Sequence, residues 1–270
     1  MTHPFKSRIS ARSAKLALAC LIALPAGGAL PAAPAGYQLI YQAKLADGSL
    51  VPSIDTRKLG NLVKGDSGPG AAASWTPFST GLTIAVTQPA GATEPSSAGV
   101  WVTPVKFGPG SKFALEATFV SPRGPDAIND LWAVALTART GDRMDAADAV
   151  RAGATLQVRG PTARLNGPGL DPGLGLMNIS QANYDRLFKQ NTPVEFTLEF
   201  VVDGTTGKGK ETLKVAGVMV ATGESSLADF KATSGQDVTT VGAGVVIARG
   251  QGKSASVQIR EFKIYSGSNT

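Results

Sequence analysis

The stretch Phe113-Ala-Leu-Glu-Ala-Thr-Phe-Val120 alternates between apolar and other side chains with a period of two. Phe113, Leu115 and Phe119 fall on one side of an extended backbone, and Glu116 falls on the other. Because successive side chains of a strand point to opposite faces, the stretch predicts a β-strand with one buried face.

Comparable short runs recur along the chain between clusters of Gly, Pro, Asn and Asp. They cover residues 37–43, 82–87, 98–107, 131–139, 154–159, 194–203, 211–220, 238–249 and 255–265. About ten strands with no helices between them favour antiparallel sheets. The sequence therefore predicts an all-β, antiparallel two-sheet sandwich, built as a single domain over residues 36–270.

Two local features interrupt this pattern. One short helix is expected over residues 181–190, where Ser180 can cap the first turn. In the last strand, Val257 and Ile259 keep one parity, whereas Phe262 and Ile264 keep the other. We therefore expect a β-bulge at Arg260-Glu261.

The first 35 residues have the order of parts found in a signal peptide. Lys and Arg residues precede a short apolar core at 16–24, and Ala33-Pro-Ala35 supplies small residues before a cleavage site at Gly36. Pro25 interrupts the apolar run well short of the roughly 20 residues that cross a bilayer. The sequence therefore predicts a protein that is secreted or periplasmic.

Removal of that segment leaves a chain with restricted chemistry. The only histidine is His3 and the only cysteine is Cys20, so imidazole bases, thiol nucleophiles and disulfides are absent from the expected mature chain. Acylation of Cys20 in a lipoprotein is an alternative, but Leu18 stands two residues before it instead of the usual three. Four Lys and Arg residues leave with the signal, so 22 remain against 20 Asp and Glu, a net charge of +2. We expect no nucleic-acid partner and no membrane association after cleavage.

The order of strands resembles that of the concanavalin A-like lectin/glucanase jelly rolls. The runs that carry the resemblance are Ala98-Gly-Val-Trp-Val-Thr-Pro-Val-Lys-Phe, Lys112-Phe-Ala-Leu-Glu-Ala-Thr-Phe, Leu131-Trp-Ala-Val-Ala-Leu, Val194-Glu-Phe-Thr-Leu-Glu-Phe-Val-Val-Asp-Gly and Val257-Gln-Ile-Arg-Glu-Phe-Lys-Ile-Tyr. The resemblance implies a jelly-roll sandwich with a concave sheet face that often handles carbohydrate. It supports the fold more strongly than any activity.

The chain departs from the catalytic members of that group. Family 16 glycosidases carry a Glu-x-Asp-x-x-Glu run on one concave strand, but the strand expected after Trp132 is Ala154-Thr-Leu-Gln-Val-Arg-Gly, without a carboxylate. Members that resemble alginate lyases use a histidine and tyrosine pair, and the expected mature chain has no histidine. These departures weigh against catalysis of the familiar kinds.

Five residues are candidates for contacts with a sugar, which needs a flat apolar surface beside hydrogen-bonding groups. Trp75 lies in a Ser/Thr/Pro-rich segment that we expect to be a loop, so it is the first choice for an exposed platform. Trp101 and Trp132 lie within expected strands, where a place in the core is an equal alternative. Gln157 and Arg159 share the polar side of their strand.

Carboxylates supply two alternatives to simple binding. Glu116 and Glu199 could act as an acid pair if they lie roughly 5 to 9.5 Å apart, although solvated positions on a sheet are the ordinary interpretation. Asp142, Asp145 and Asp148 could bind Ca²⁺ through hard oxygen ligands. Their spacing of three also fits one face of a short helix, and it matches no known calcium loop.

These observations give three hypotheses of function. The first is a lectin-like domain that binds a polysaccharide or surface glycan without catalysis and without a cofactor, other than Ca²⁺ if the aspartates bind it. The second is a carbohydrate-active enzyme, a glycoside hydrolase or polysaccharide lyase, that uses carboxylates from different strands. The third is a structural protein of an envelope or matrix.

Overall fold

The computed structural model describes residues 33–103, 110–120, 132–140, 153–159, 162–166, 177–179, 192–202, 208–226, 238–247 and 254–267. The described residues of Ala33–Thr270 belong to one compact unit. The helix expected over 181–190 and nearly all of the expected signal peptide lie outside these ranges. Within them, no helix has the length and apolar character needed to span a membrane.

Almost every described element is a strand. The strands are β1 (Tyr37–Lys44), β2 (Pro52–Asp55), β3 (Val63–Ser67), β4 (Ala72–Phe78), β5 (Gly81–Thr87), β6 (Ser96–Val102), β7 (Lys112–Val120), β8 (Trp132–Thr140), β9 (Gly153–Arg159), β10 (Thr162–Asn166), β11 (Met177–Ile179), β12 (Pro193–Val202), β13 (Lys208–Val215), β14 (Val218–Ser226), β15 (Val238–Ile247) and β16 (Ser254–Gly267). A single 3-10 turn covers Ala46–Gly48.

The strands form two antiparallel sheets. The nine-stranded sheet has the order β14-β13-β12-β7-β16-β1-β2, and β5 joins it by pairing with β16 and with β4. The seven-stranded sheet has the order β11-β10-β9-β8-β15-β6-β3. The predicted all-β, two-sheet jelly-roll sandwich is therefore confirmed.

The core lies between the two sheets and consists of the apolar side chains on the inward side of each strand. Phe113, Leu115 and Phe119 are buried in it, as the alternation in β7 predicts. Phe113 stacks on Phe200 of β12 at a centroid distance of 4.7 Å, and Phe119 packs against Phe196 at 5.1 Å. These ring pairs join the two central strands of the nine-stranded sheet on its inner face.

The expected bulge in β16 is present. The pairing of β16 with β7 shifts between Ile259 and Glu261, so Ile259 and Phe262 both reach the core despite their opposite parity. The shift also marks a change of partner along the other side of β16. Residues up to Ile259 pair with β5, whereas those from Glu261 onward pair with β1.

Truncation of a central core side chain tests this packing. Leu115 has 0% exposure, so Leu115→Ala removes buried apolar surface and leaves a cavity in the middle of β7. We expect the free energy of unfolding to fall by about 2 to 5 kcal/mol, measured by urea denaturation. Val51→Ala is the control, because Val51 is 60% exposed and its truncation should change stability by less than about 0.5 kcal/mol. Equal losses in the two variants would contradict the described core.

Candidate functional site

The outward face of the seven-stranded sheet follows from the inward residues of β15. Val241, Ala243 and Val245 belong to the core, so the residues between them, Gly242 and Gly244, face away from it. Directly paired residues of antiparallel neighbours lie on the same face, which carries the assignment from strand to strand.

The register extends this face across the whole sheet. On one side, Gly242 pairs with Trp101 of β6, and Trp101 pairs with Val63 of β3. On the other side, Gly244 pairs with Ala135 of β8, and the same parity of β8 leads to Gln157 of β9. We call the resulting set the outward set. It comprises Val63, Gly65, Ser67, Ser97, Gly99, Trp101, Thr240, Gly242, Gly244, Val246, Ala133, Ala135, Thr137, Arg139, Gly153, Thr155, Gln157, Arg159, Thr162, Arg164, Asn166 and Asn178.

Trp101 lies on this face over glycine. Its indole occupies the space above Gly65 so closely that a Cβ added there would lie 1.5 Å from the Trp101 Cη2 atom. Gly65 has no left-handed backbone conformation, so glycine is required at this position by space. Trp101 is 8% exposed, so it is buried on this outward side, although it lies outside the core cluster between the two sheets.

Two further glycines lie at the centre of the face, where the backbones of β15 and β6 approach each other closely. A Cβ on Gly242 would lie 2.4 Å from the Val100 carbonyl oxygen, and one on Gly244 would lie 2.2 Å from the Ala98 carbonyl oxygen. Real Cβ atoms do not approach a carbonyl oxygen so closely, so the two strands could not keep this spacing with a side chain at either position. At the centre of the face, where β15 meets β6, the two glycines therefore bring the strand backbones close together beside one indole, and these positions are buried.

The other two tryptophans lie elsewhere. Trp75 belongs to β4, so the expectation of a loop is wrong: the whole run from Ala72 to Phe78 pairs with β5 despite its Pro and Ser content. It is half-buried against the core, and its Nε1–H donates to the Gly99 carbonyl oxygen at 3.1 Å. Trp132 pairs with Ile247, a core residue, so its register position belongs to the inward parity of β8.

The two candidate acids share the opposite surface of the sandwich, the outward face of the nine-stranded sheet. Glu116 pairs with Thr197, and Glu199 follows two residues later on the same side of β12. Lys214 Nζ donates to Glu199 Oε1 at 2.5 Å. The two acids therefore lie on the same face as each other, and on the other sheet from Trp101.

Glu116 is buried in a polar network. Lys263 Nζ donates to Glu116 Oε1 at 2.7 Å, and the Tyr265 hydroxyl donates to Glu116 Oε2 at 3.1 Å. Lys263 Nζ also lies 2.8 Å from Glu261 Oε2, and Gln42 donates to the other oxygen of Glu261. Burial alone would lower the pKa of Lys263, but its hydrogen bonds to Glu116 and Glu261 raise it above the ordinary value.

Glu195 completes this network, and the sequence analysis missed it. Burial, and then the charge of Glu116, raise the pKa of Glu195 to about 7, and the two side chains share a hydrogen bond. A hydrogen bond between two carboxyl groups requires a proton, which Glu116 and Glu195 share. The same alternation that picked out Glu199 also places Glu195 on this face, so the pattern alone could have found it.

The geometry of this network suits structure better than catalysis. The carboxyl groups of Glu116 and Glu195 share a hydrogen bond, so they lie much closer than the roughly 5 to 9.5 Å that separates a glycosidase acid pair. The remaining capacity of Glu116 is taken by Lys263 and Tyr265, and burial followed by the charge of Glu116 raises the pKa of Tyr265 well above its ordinary range. The network therefore ties β12, β7 and β16 together on the outward face of the nine-stranded sheet.

The calcium hypothesis rests on residues that the structure does not describe. Asp142, Asp145 and Asp148 fall in the gap between residues 140 and 153. Among the residues that the structure does describe, no group of three or more His, Cys, Asp or Glu side chains could hold a metal ion. Calcium binding by the three aspartates stays a prediction.

The Glu195 carboxyl group should make stability depend on pH. Its folded pKa lies above the ordinary glutamate value of 4.5, so the stability gained from its proton is present in acid and is lost as pH rises toward about 7. Glu195→Gln keeps a neutral hydrogen-bonding group that does not titrate. Between about pH 5 and about pH 8, the unfolding free energy of the variant relative to wild type should rise by on the order of 1 kcal/mol, after allowance for solvent screening.

Urea denaturation at the two pH values measures this effect. Glu94→Gln, in the exposed loop between β5 and β6, is the matched control and should show no such change. A Glu195→Gln variant whose stability follows that of wild type in parallel across this pH range would show that the carboxyl pair does not share a proton.

Comparison with known proteins identifies the fold only. No protein-family model and no curated protein matches the chain. Among solved structures, an endo-1,3-beta-glucanase from Streptomyces sioyaensis matches with a TM-score of 0.51 and 15% identity, over 89% of this chain and 100% of the glucanase chain. The carbohydrate recognition domain of Emp46p matches with a TM-score of 0.43 and 14% identity, over 83% and 96% of the two chains.

The fold assignment rests on the glucanase match together with the sheet order. At 15% identity, this likeness extends to the arrangement of strands and not to activity. The resemblance seen in the sequence is confirmed at that level: the chain has the concanavalin A-like jelly-roll fold.

Proposed function

We propose that the outward face of the seven-stranded sheet binds a glycan without cleaving it. The observation that carries this proposal is that Trp101 of β6 and the pair Gln157 and Arg159 of β9, candidates taken from two different strands, all belong to the outward set. The fold is consistent with such a role, since the endo-1,3-beta-glucanase that shares it is a carbohydrate-active protein.

The chemistry of the outward set suits a sugar. The indole of Trp101 is a flat apolar group that can pack against the C–H groups of a sugar ring, and it lies beside Gly242 and Gly244, which are buried and carry no side chain. Gln157 and the Thr and Asn residues of β9, β10 and β11 supply hydrogen-bond donors and acceptors that match hydroxyl groups. A few polar groups beside an apolar surface are typical of small-ligand sites.

The same set argues against hydrolysis on this face. Its described positions contain no Asp or Glu, whereas glycoside hydrolysis in most families needs two carboxyl groups. Glu116 and Glu199 belong to the other sheet, where Lys263 and Lys214 engage them. An enzyme that used Glu116 and Glu199 would therefore act on the outward face of the nine-stranded sheet.

Binding requires access to the indole. Trp101 is 8% exposed, so a ligand can contact the indole only if one side of the ring becomes accessible when the ligand binds. Such a change alters the surroundings of the indole, and it should shift the intrinsic fluorescence of the protein. The glycan would be met outside the cytoplasm if the expected signal peptide is used, which amino-terminal sequencing of the mature protein from Gly36 would test.

Trp101→Ala should weaken glycan binding at least about tenfold, equivalent to about 1.4 kcal/mol. Affinity electrophoresis against a panel of neutral and charged polysaccharides measures retention, and titration of tryptophan fluorescence gives the dissociation constant. Met219→Ala is the control, because Met219 is 62% exposed on β14 of the other sheet and its truncation should leave binding unchanged. Circular dichroism establishes that each variant is folded.

Gln157→Ala serves as a second variant of the same face in case Trp101→Ala fails to fold. Full retention of a bound polysaccharide by both variants would overturn the assignment of this face. Absence of binding to every polymer in the panel would favour the structural envelope or matrix hypothesis. Release of reducing ends from a bound polymer would favour the enzyme hypothesis.

A further inference from the structure

The outward set contains arginine at three positions and acidic residues at none. From this we infer that the glycan is a polyanion, a polysaccharide with carboxylate or sulfate groups. The inference rests on the proposed function and adds the class of ligand to it. The positions are Arg139 of β8, Arg159 of β9 and Arg164 of β10.

The register fixes these positions on the backbone. Arg139 pairs with Thr240, a neighbour of Gly242 in the outward parity of β15. Arg164 pairs with Gln157, and Arg159 pairs with Thr162. Each arginine therefore stands opposite a neutral residue on the described neighbouring strand.

The two sheets differ in how they present charge. On the nine-stranded sheet, acids and lysines alternate in position and form ion pairs, such as Glu116 with Lys263 and Glu199 with Lys214. The outward set of the seven-stranded sheet has positive charge only, at its described positions. Interspersed charges of both signs stabilise a solvated surface, whereas a field of one sign attracts ligands of the opposite sign.

Arginine suits carboxylate and sulfate ligands. The guanidinium group is planar and always charged, and it donates two parallel hydrogen bonds to a carboxylate or a similar oxyanion. Arg159 and Arg164 are diagonal neighbours on adjacent strands, so their backbones lie roughly 7 to 8 Å apart. This spacing lets both groups engage one charged sugar or two consecutive ones.

The spread of the arginines indicates a polymer. Arg139 lies six residues along the strand direction and two strands across from Arg164, a separation of roughly 20 Å at standard strand dimensions. Trp101 lies near the Arg139 end of the face, two strands away. One monosaccharide cannot reach both ends, whereas an extended chain with repeated charges can.

A nucleic acid fits these positions less well. Proteins that bind single strands stack successive bases on several aromatic side chains along a basic groove. The described outward set offers Trp101 as its one aromatic residue, and it is rich instead in Thr, Asn and Gln, which match sugar hydroxyl groups.

The test compares polymers that differ only in charge. Affinity electrophoresis of the full chain uses dextran and dextran sulfate, and methyl-esterified and free polygalacturonate, with single-stranded DNA as a further probe. We expect at least tenfold stronger retention by each anionic polymer than by its neutral counterpart. Retention should fall as sodium chloride rises, because salt screens the interaction.

Charge-neutral variants locate the effect. Arg159→Gln combined with Arg164→Gln should reduce retention by the anionic polymers at least fivefold, and Arg139→Gln should reduce it independently. Arg57→Gln is the matched control, since Arg57 is exposed in the turn after β2 and lies outside the outward set. Thermal unfolding of each variant establishes that the sandwich is intact.

The outcomes separate the two proposals. Equal retention by the charged and neutral member of each pair would overturn the polyanion inference and leave glycan binding standing. Retention by no polysaccharide would overturn both. Retention by DNA equal to that by dextran sulfate, or a loss in Arg57→Gln as large as in the double variant, would show attraction to charge without a glycan site and would also overturn the inference.

Discussion

Burial of one parity of side chains between the two sheets is the constraint on which the other features depend. Once residues such as Leu115 and Val245 are committed to the interior, the residues between them are committed to one of two outer faces. Because directly paired residues of antiparallel strands lie on the same face, the face of each residue in one strand fixes the faces of its partners across the sheet. The position of Trp101 and that of Glu116 on different surfaces of the molecule are both consequences of it.

The two outer faces meet that constraint in different ways. On the nine-stranded sheet, polar side chains near the centre of the outward face are buried against one another. Glu116 forms hydrogen bonds with Lys263, Tyr265 and Glu195 there. Such a network is costly if any partner is removed, because a buried charge would be left without compensation. On the seven-stranded sheet, glycines replace long side chains near Trp101, so the backbones of β6 and β15 approach each other closely there.

Sequence reasoning found the fold and the alternation of several strands, because alternation is a local property of each strand. Gln157 and Arg159 could be assigned to a polar side from β9 alone, and the bulge in β16 could be located from the parity of Ile259 and Phe262. Strand order is not local, so the sequence did not reveal that Glu116 and Trp101 belong to different sheets. Trp75 was misjudged because Pro and Ser suggest a loop, although an edge strand such as β4 tolerates both.

The bulge in β16 also divides one long strand into two segments that pair with different neighbouring strands. Up to Ile259 the strand supports the β4–β5 hairpin, and from Glu261 onward it supports β1. The extra residue reverses the side of the sheet on which the following side chains lie. It places Lys263 and Tyr265 on the outward face beside Glu116, where an uninterrupted alternation would have placed them in the apolar core. A single inserted amino acid thus gives this sheet both its branch and its polar network.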